Sequence, residues 1–217
     1  MKFIQRFALA ASLVSLTFLS ACGGGGDSSG GSSSGGTGGS TVTPPVTLTV
    51  THTVTMVTSM GTIVIGLDRT HAPKTVDNFL AYVNSGFYSG TLFHRVISNF
   101  VVQGGGFTRS SGGVLTQKAT SPAIALESNT GLQNLRGTIA MARTSVPDSA
   151  TSQFYINVVD NASLNYASDN NPGYAVFGKV TSGMDVVDAI RVVATTGAAG
   201  NDAPLADVTI TEVKEVK

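Results

Sequence analysis

Residues 93–107 read Phe93-His94-Arg95-Val96-Ile97-Ser98-Asn99-Phe100-Val101-Val102-Gln103-Gly104-Gly105-Gly106-Phe107. Two short strands fit this stretch, Leu92–Ile97 and Phe100–Gln103. On a regular strand residues 93, 95 and 97 share one face, which sets Arg95 among apolar neighbours. Phe100 and Gln103 arrive from the next strand. A cation, a phenyl ring and an amide gathered on a sheet cost desolvation that a plain core avoids, so the cluster reads as a site.

The same period recurs on either side. His52–Thr58 alternates and is rich in β-branched residues, Ser59-Met60-Gly61 has turn chemistry, and Thr62–Leu67 completes a hairpin. The period changes over Pro73–Ser85. There Val76, Phe79, Leu80 and Val83 fall on one helical face, Pro73 suits the first turn and Gly86 the stop. Further strands fit Gly137–Ala142, Gln153–Val159, Ala175–Val180 and Asp207–Val216, with a second helix over Met184–Val192. Seven or eight strands with two widely separated helices predict a mainly β fold, a closed antiparallel barrel capped at its ends.

The chain has 217 residues, with 13 Lys+Arg against 13 Asp+Glu. That balance leaves no basic footprint, which argues against nucleic acid as a partner. Apolar residues make up 41%, enough for one core over residues 50–217. The single Cys excludes an intrachain disulfide and a cysteine metal cluster.

The N-terminus reads as a targeting device. Lys2 and Arg6 precede Phe7–Leu19, which is apolar save for Ser12, Ser15 and Thr17. Residues 1–21 thus have the form of a signal peptide, too short for the ~20 apolar residues of a spanning helix. They end Leu19-Ser20-Ala21-Cys22, which resembles the bacterial lipobox. Cys22 is therefore expected to be lipidated, and its acyl chains to hold the protein on a membrane. Residues 22–49 are expected to be the lipidated Cys and a disordered tether. Positions 23–40 are Gly and Ser apart from Asp27 and Thr37, and cannot bury apolar surface. A Gly/Ser coil of about 24 residues reaches roughly 25–30 Å. Gly23 lacks the Asp that favours inner-membrane retention, so an exported protein on the outer membrane, facing the periplasm, is expected.

Two further segments carry chemistry. One is Gly137-Thr138-Ile139-Ala140-Met141-Ala142-Arg143, continuing through Ser149-Ala150-Thr151-Ser152-Gln153-Phe154-Tyr155-Ile156-Asn157; the other is Gly173-Tyr174-Ala175-Val176-Phe177-Gly178-Lys179-Val180. With residues 93–105 they resemble, in order and spacing, the cyclophilin-type peptidyl-prolyl cis-trans isomerases. The AMAR, DSATSQF and GYAVFGKV forms resemble the bacterial periplasmic branch. The resemblance spans residues 52–217. It implies an eight-stranded antiparallel barrel capped by two α-helices and isomerisation of X–Pro bonds. It also implies no cofactor, no metal, a monomer, and proline-containing exported polypeptides as clients.

The resemblance also assigns roles. Arg95, Phe100 and Gln103 form the catalytic set. Arg95 would donate to the prolyl nitrogen of the twisted amide, and Gln103 would orient Arg95 and contact the substrate backbone. Phe100, with Val101, Tyr155 and Leu164, would floor the proline pocket. His94 and Tyr174 would line its rim. The backbone of Ala142, Arg143 and Thr144 would hold the residue before proline, and Met141 and Gln153 join the substrate-binding set.

Departures from the family pattern qualify this. Many members have Phe where Tyr155 stands, and an inward hydroxyl needs a partner. Many have an aromatic where Ser163 stands, which predicts weak inhibition by the cyclic peptide cyclosporin. Tyr174 replaces a family His, Arg143 an Asn, and Gly106 a frequent acid. Tyr155 and Ser163 keep a second reading open, a non-catalytic proline-peptide-binding module or chaperone. Other patterns fail. His94, Asp148 and Ser149 lack a nucleophile elbow. Gly173-x₄-Gly178-Lys179 lacks the Ser/Thr of a phosphate loop. His52 and His71 read as surface residues.

Overall fold

Period-two burial builds the first hairpin. β1 (His52–Thr58) pairs with β2 (Gly61–Leu67) so that Val54 faces Ile65 and Met56 faces Ile63, all four fully buried. The structure, a computed structural model, describes residues 46–216. The expected signal peptide, Cys22 and the tether up to residue 45 lie outside the described residues.

Helix α1 (Pro73–Asn84) buries Val76, Phe79, Leu80 and Val83, the stripe its 3.6 period predicts. Its first turn lacks a local side-chain cap. Glu127 supplies one from a distant loop, accepting from Lys74 N at 3.1 Å, Thr75 N at 2.8 Å and Thr75 Oγ1 at 2.7 Å. Gly86, at φ 68°, ends the helical run in a conformation glycine adopts freely.

The remaining elements are β3 (Thr91–Val96), β4 (Val101–Gly104), β5 (Phe107–Arg109), β6 (Leu115–Gln117), β7 (Thr138–Met141), β8 (Phe154–Asn157), β9 (Val176–Ser182), α2 (Met184–Arg191) and β10 (Thr209–Val216). The barrel closes in the order β1-β10-β3-β4-β8-β7-β9-β2, every pair antiparallel. This is the eight-stranded barrel with two helices that the sequence predicts. Phe79 of α1 sits in its end, 5.2 Å from the Tyr88 ring, 5.7 Å from Phe154 and 5.2 Å from Phe177.

Three expectations need correction. Residues 93 and 95 do not share a face. The register pairs Phe93 with Gly104 but Arg95 with Gln103, so His94 is the extra residue of a β-bulge. The bulge lets Phe93 join the barrel interior while Arg95 points to the outside of the wall. The β5–β6 pair stands apart from the barrel and has no counterpart in the expected strands.

The third correction concerns the start of the fold. Residues 46–49, expected in the tether, pack on the domain. Val46 and Leu48 lie against the cluster of Val101, Leu132, Ala140, Tyr155 and Val176. Thr49 N donates to Asp68 Oδ2 at 2.8 Å. Asp68 is fully buried and also accepts from His71 N at 3.1 Å and meets His71 Nδ1 at 2.7 Å. His71 is thus a partner of a buried carboxylate rather than a free surface residue.

Candidate active site

Cross-strand registry aligns the site. Arg95 on β3 faces Gln103 on β4, Gln103 faces Tyr155 on β8, Tyr155 faces Ala140 on β7, and Ala140 faces Val176 on β9. These five form one lateral row on the outside of the wall. Their chain neighbours Val102, Phe154, Ile156, Ile139, Met141 and Phe177 fill the interior. Arg95, Gln103 and Tyr155 of this row open onto a pocket of about 190 Å³, lined also by Phe100, Val101, Ala142, Arg143, Leu164 and Tyr174, while Ala140 and Val176 lie in the buried cluster that includes Tyr155.

The polar groups are held from behind. Arg95 Nη1 donates to Gln103 Oε1 at 3.4 Å, and Gln103 Nε2 donates to Gln153 Oε1 at 3.1 Å. This chain fixes the Gln103 amide with its oxygen toward the guanidinium. Gly106 makes it possible, since a Cβ there would collide with Gln153 Cγ. Among the described residues neither Arg95 nor Arg143 has a carboxylate partner. Arg143 instead donates to Gly173 O at 2.9 Å and Thr144 O at 2.9 Å, with its guanidinium 4.6 Å from the Tyr174 ring. Arg95 therefore presents a cation with no ion pair, tied only to Gln103 through Nη1.

The Tyr155 hydroxyl has the partner it needs. It donates to Asn134 Oδ1 at 2.8 Å, away from the pocket, and burial drives its pKa upward. Asn134 Oδ1 also accepts from Asn157 Nδ2 at 3.2 Å, and Asn134 Nδ2 donates to Leu164 O at 3.0 Å. Asn161 Nδ2 donates to Asn157 Oδ1 at 2.7 Å and to the carbonyl of Phe100 at 2.9 Å. Leu164 O accepts from Tyr174 N at 3.0 Å. A buried amide network thus ties Phe100, Tyr155, Leu164 and Tyr174 together.

The expected residues divide in three. Met141 is not a pocket residue: alternation on β7 turns it into the barrel interior, where it is 1% exposed. His94, the bulge residue, packs its ring 4.6 Å from Phe107, and burial pulls its pKa down to about 4. Thr144 and Gln153 line a second cavity of about 270 Å³ with Gln103, Gln117, Thr120, Ala142, Arg143, Ser149 and Thr151. Gln117 and Thr120 escaped the sequence reading because they are exposed polar residues in a segment with no burial period. Ser149 Oγ donates to Val146 O at 2.6 Å within its own loop, and Asp148 Oδ1 accepts from Leu126 N at 2.8 Å and ties that loop to the segment before β7.

Comparison with known proteins agrees with this geometry. Residues 53–215 match the family model of the cyclophilin type peptidyl-prolyl cis-trans isomerases. The chain is 54% identical to peptidyl-prolyl cis-trans isomerase cyp18 of Streptomyces antibioticus, over 75% of this chain and 97% of that one. It is 52% identical to peptidyl-prolyl cis-trans isomerase B of Escherichia coli, over 74% and 97%. A crystal structure of a Cryptosporidium parvum cyclophilin type isomerase, determined in the presence of the dipeptide Ala-Pro, superposes with a TM-score of 0.62 at 26% identity, covering 76% of this chain and 99% of that one. The family model and relatives that share more than half their aligned residues with this chain are isomerases by name, which favours a catalytic protein over a bare binding module. The chain belongs to the cyclophilin-type peptidyl-prolyl cis-trans isomerases.

Proposed function

We propose that this isomerase acts on X–Pro bonds of exported polypeptides, with Arg95 stabilising the twisted amide. Rotation about the peptide bond meets a barrier of ~18–20 kcal/mol because amide resonance is lost. In the twisted state the prolyl nitrogen regains a lone pair and accepts a hydrogen bond; in either planar state it does not. A donor aimed at that nitrogen therefore binds the transition state better than the ground states. Going from about 0.01 s⁻¹ to about 10³ s⁻¹ takes about 7 kcal/mol.

The observation that carries this reading is the guanidinium of Arg95, tied only to Gln103 and without a carboxylate partner, beside an apolar floor. Phe100, Val101, Tyr155 and Leu164 are suited to seat the proline ring. Gln103, itself held by Gln153, orients Arg95. The backbone of Ala142, Arg143 and Thr144 holds the residue before proline. Tyr174 walls the rim, braced by the Arg143 guanidinium. His94 acts by packing, since a ring with its pKa near 4 stays neutral at working pH.

The protein works as a monomer, exported and held by a lipid on Cys22 to a bacterial membrane, facing the periplasm, with the outer membrane as its site. Two measurements test the whole reading. NMR exchange of a short X–Pro peptide is accelerated by the full chain and loses most of that acceleration in Arg95→Ala. Cys22→Ser moves the protein from the membrane to the soluble fraction; retention in the membrane fraction overturns the anchor.

A further inference from the structure

The β5–β6 pair presents an open edge beside the pocket. Its register is Phe107 to Gln117, Thr108 to Thr116 and Arg109 to Leu115. Lys118 N donates to Gly106 O at 2.9 Å and Ser110 N to Val114 O at 2.9 Å. Antiparallel ladders alternate bonded and non-bonded pairs, so the bonded pair between these two is Thr108 with Thr116. The N–H and C=O of Leu115 and Gln117 consequently point away from β5. Among the described residues no strand pairs with that side of β6.

Such an edge is a template for another strand, and proteins usually blunt or cover it. Here it is left open and held stiffly. Phe107 packs on His94, Arg109 Nε lies 2.8 Å from Asp207 Oδ1, and Lys118 donates its ammonium to the Phe87 carbonyl. Val114 and Leu115 are exposed apolar residues at the same edge. Its far end is continuous with the site. Gln117 lines the cavity of about 270 Å³, and that cavity shares Gln103, Ala142 and Arg143 with the proline pocket. An extended chain leaving the pocket past Gln103 crosses this cavity and meets β6.

We propose that the outer edge of β6 docks the extended stretch of client on the N-terminal side of the X–Pro bond, which adds as a third strand through main-chain hydrogen bonds to Leu115 and Gln117. The direction rests on the placement of the pre-proline residue at Ala142–Thr144. Main-chain pairing recognises extension rather than sequence, as a folding catalyst with many clients requires. At about 3.3 Å per residue the three residues of β6 accept three to four client residues.

The test is a peptide series turned over by the full chain. A blocked Ala-Pro dipeptide is compared with the same unit carrying four N-terminal Thr/Val residues, four C-terminal ones, or the N-terminal four with alternate amides N-methylated in either phase. The N-terminal extension lowers KM about fivefold or more, the C-terminal one does not, and N-methylation cancels the gain in one phase only. Leu115→Pro removes an outward donor without touching the β5 ladder, so it cancels the same gain and leaves dipeptide turnover unchanged. Equal KM values across the series, a gain from the C-terminal side alone, or insensitivity to both methylation phases overturns the edge. Absence of dipeptide turnover overturns the Arg95 pocket, and the edge with it. The methylated peptides decide the matter on the unaltered protein if the Pro variant misfolds.

Discussion

The Tyr155 hydroxyl donates to Asn134 Oδ1 at 2.8 Å, so the polar end of a pocket residue is turned into the protein and its ring is left to line the pocket. Asn134 is 1% exposed and uses its side-chain oxygen, side-chain nitrogen and backbone N–H in hydrogen bonds. Tyr155→Phe removes one donor and leaves Asn157 Nδ2 on that oxygen, so it costs about 1 kcal/mol and keeps activity. Asn134→Leu strands the Tyr155 hydroxyl and takes one of two partners from both Asn157 Nδ2, which keeps Thr138 Oγ1, and the Leu164 carbonyl, which keeps Tyr174 N, and it costs about 2–4 kcal/mol. Urea unfolding of the two variants and the double variant measures both, and the double variant is the more stable of the two that lack Asn134.

Gly106 is the hidden support of the arginine. Gly106→Ala pushes Gln153 aside, which frees the Gln103 amide to turn and loosens Arg95. Misplacing a catalytic donor by about 1 Å costs up to about 10²-fold in rate, so kcat falls about tenfold or more while the melting temperature moves little. Saturation kinetics beside a thermal melt separate the two; an unchanged kcat sinks the relay.

His94 makes stability acid-sensitive. Burial, with the charge of Arg95 as a smaller cause, holds its folded pKa near 4 against an ordinary 6.5. On acidification the unfolded chain takes up the proton first. The contribution is complete above pH 6.5 and is lost as pH falls from 6.5 toward 4, by about 3 kcal/mol at most. His94→Gln flattens that part of the profile. Parallel stability curves for the two proteins between pH 7 and 4 would remove His94 as the cause.

Ser163 lies exposed in a short turn, Ala162–Leu164, next to the pocket residue Leu164. It offers no aromatic surface to a cyclic peptide inhibitor. Cyclosporin is expected to inhibit weakly, and Ser163→Trp to tighten inhibition about tenfold. A nanomolar inhibition constant for the unaltered protein contradicts this.

The barrel was legible because its strands advertise themselves by alternation, as Val54, Met56, Ile63 and Ile65 do, and because Phe79 sits in a clear helical stripe. Most of the pocket was legible through the motifs that hold Arg95, Phe100 and Gln103. What escaped had non-local causes. The bulge at His94 reverses the facing of Phe93 against Arg95, and no local pattern signals an extra residue. Met141 shares a motif with pocket residues but sits one residue out of phase with Ala140. Asn134 meets Tyr155 and Leu164 only through the closed barrel and the loop after β8. The strands β5 and β6 carry exposed side chains throughout β6, so nothing periodic marked them.

Val46 and Leu48 pack against one side of the apolar cluster on which Phe100, Ala142, Leu164 and Tyr174 also rest. The segment that leads in from the N-terminal region is therefore part of the foundation of the pocket. Coupling of this kind is reciprocal: what firms one partner firms the other. An occupied pocket slows exchange of the Thr49 amide, whose hydrogen bond to Asp68 opens when the segment lifts. A domain trimmed to residue 53, where the family match begins, loses the buttress and turns over clients with a slacker pocket. Residues 46–49 thus give whatever enters the domain from upstream a mechanical handle on the catalyst: a pull on Val46 is felt first by the packing beneath Tyr155 and Leu164.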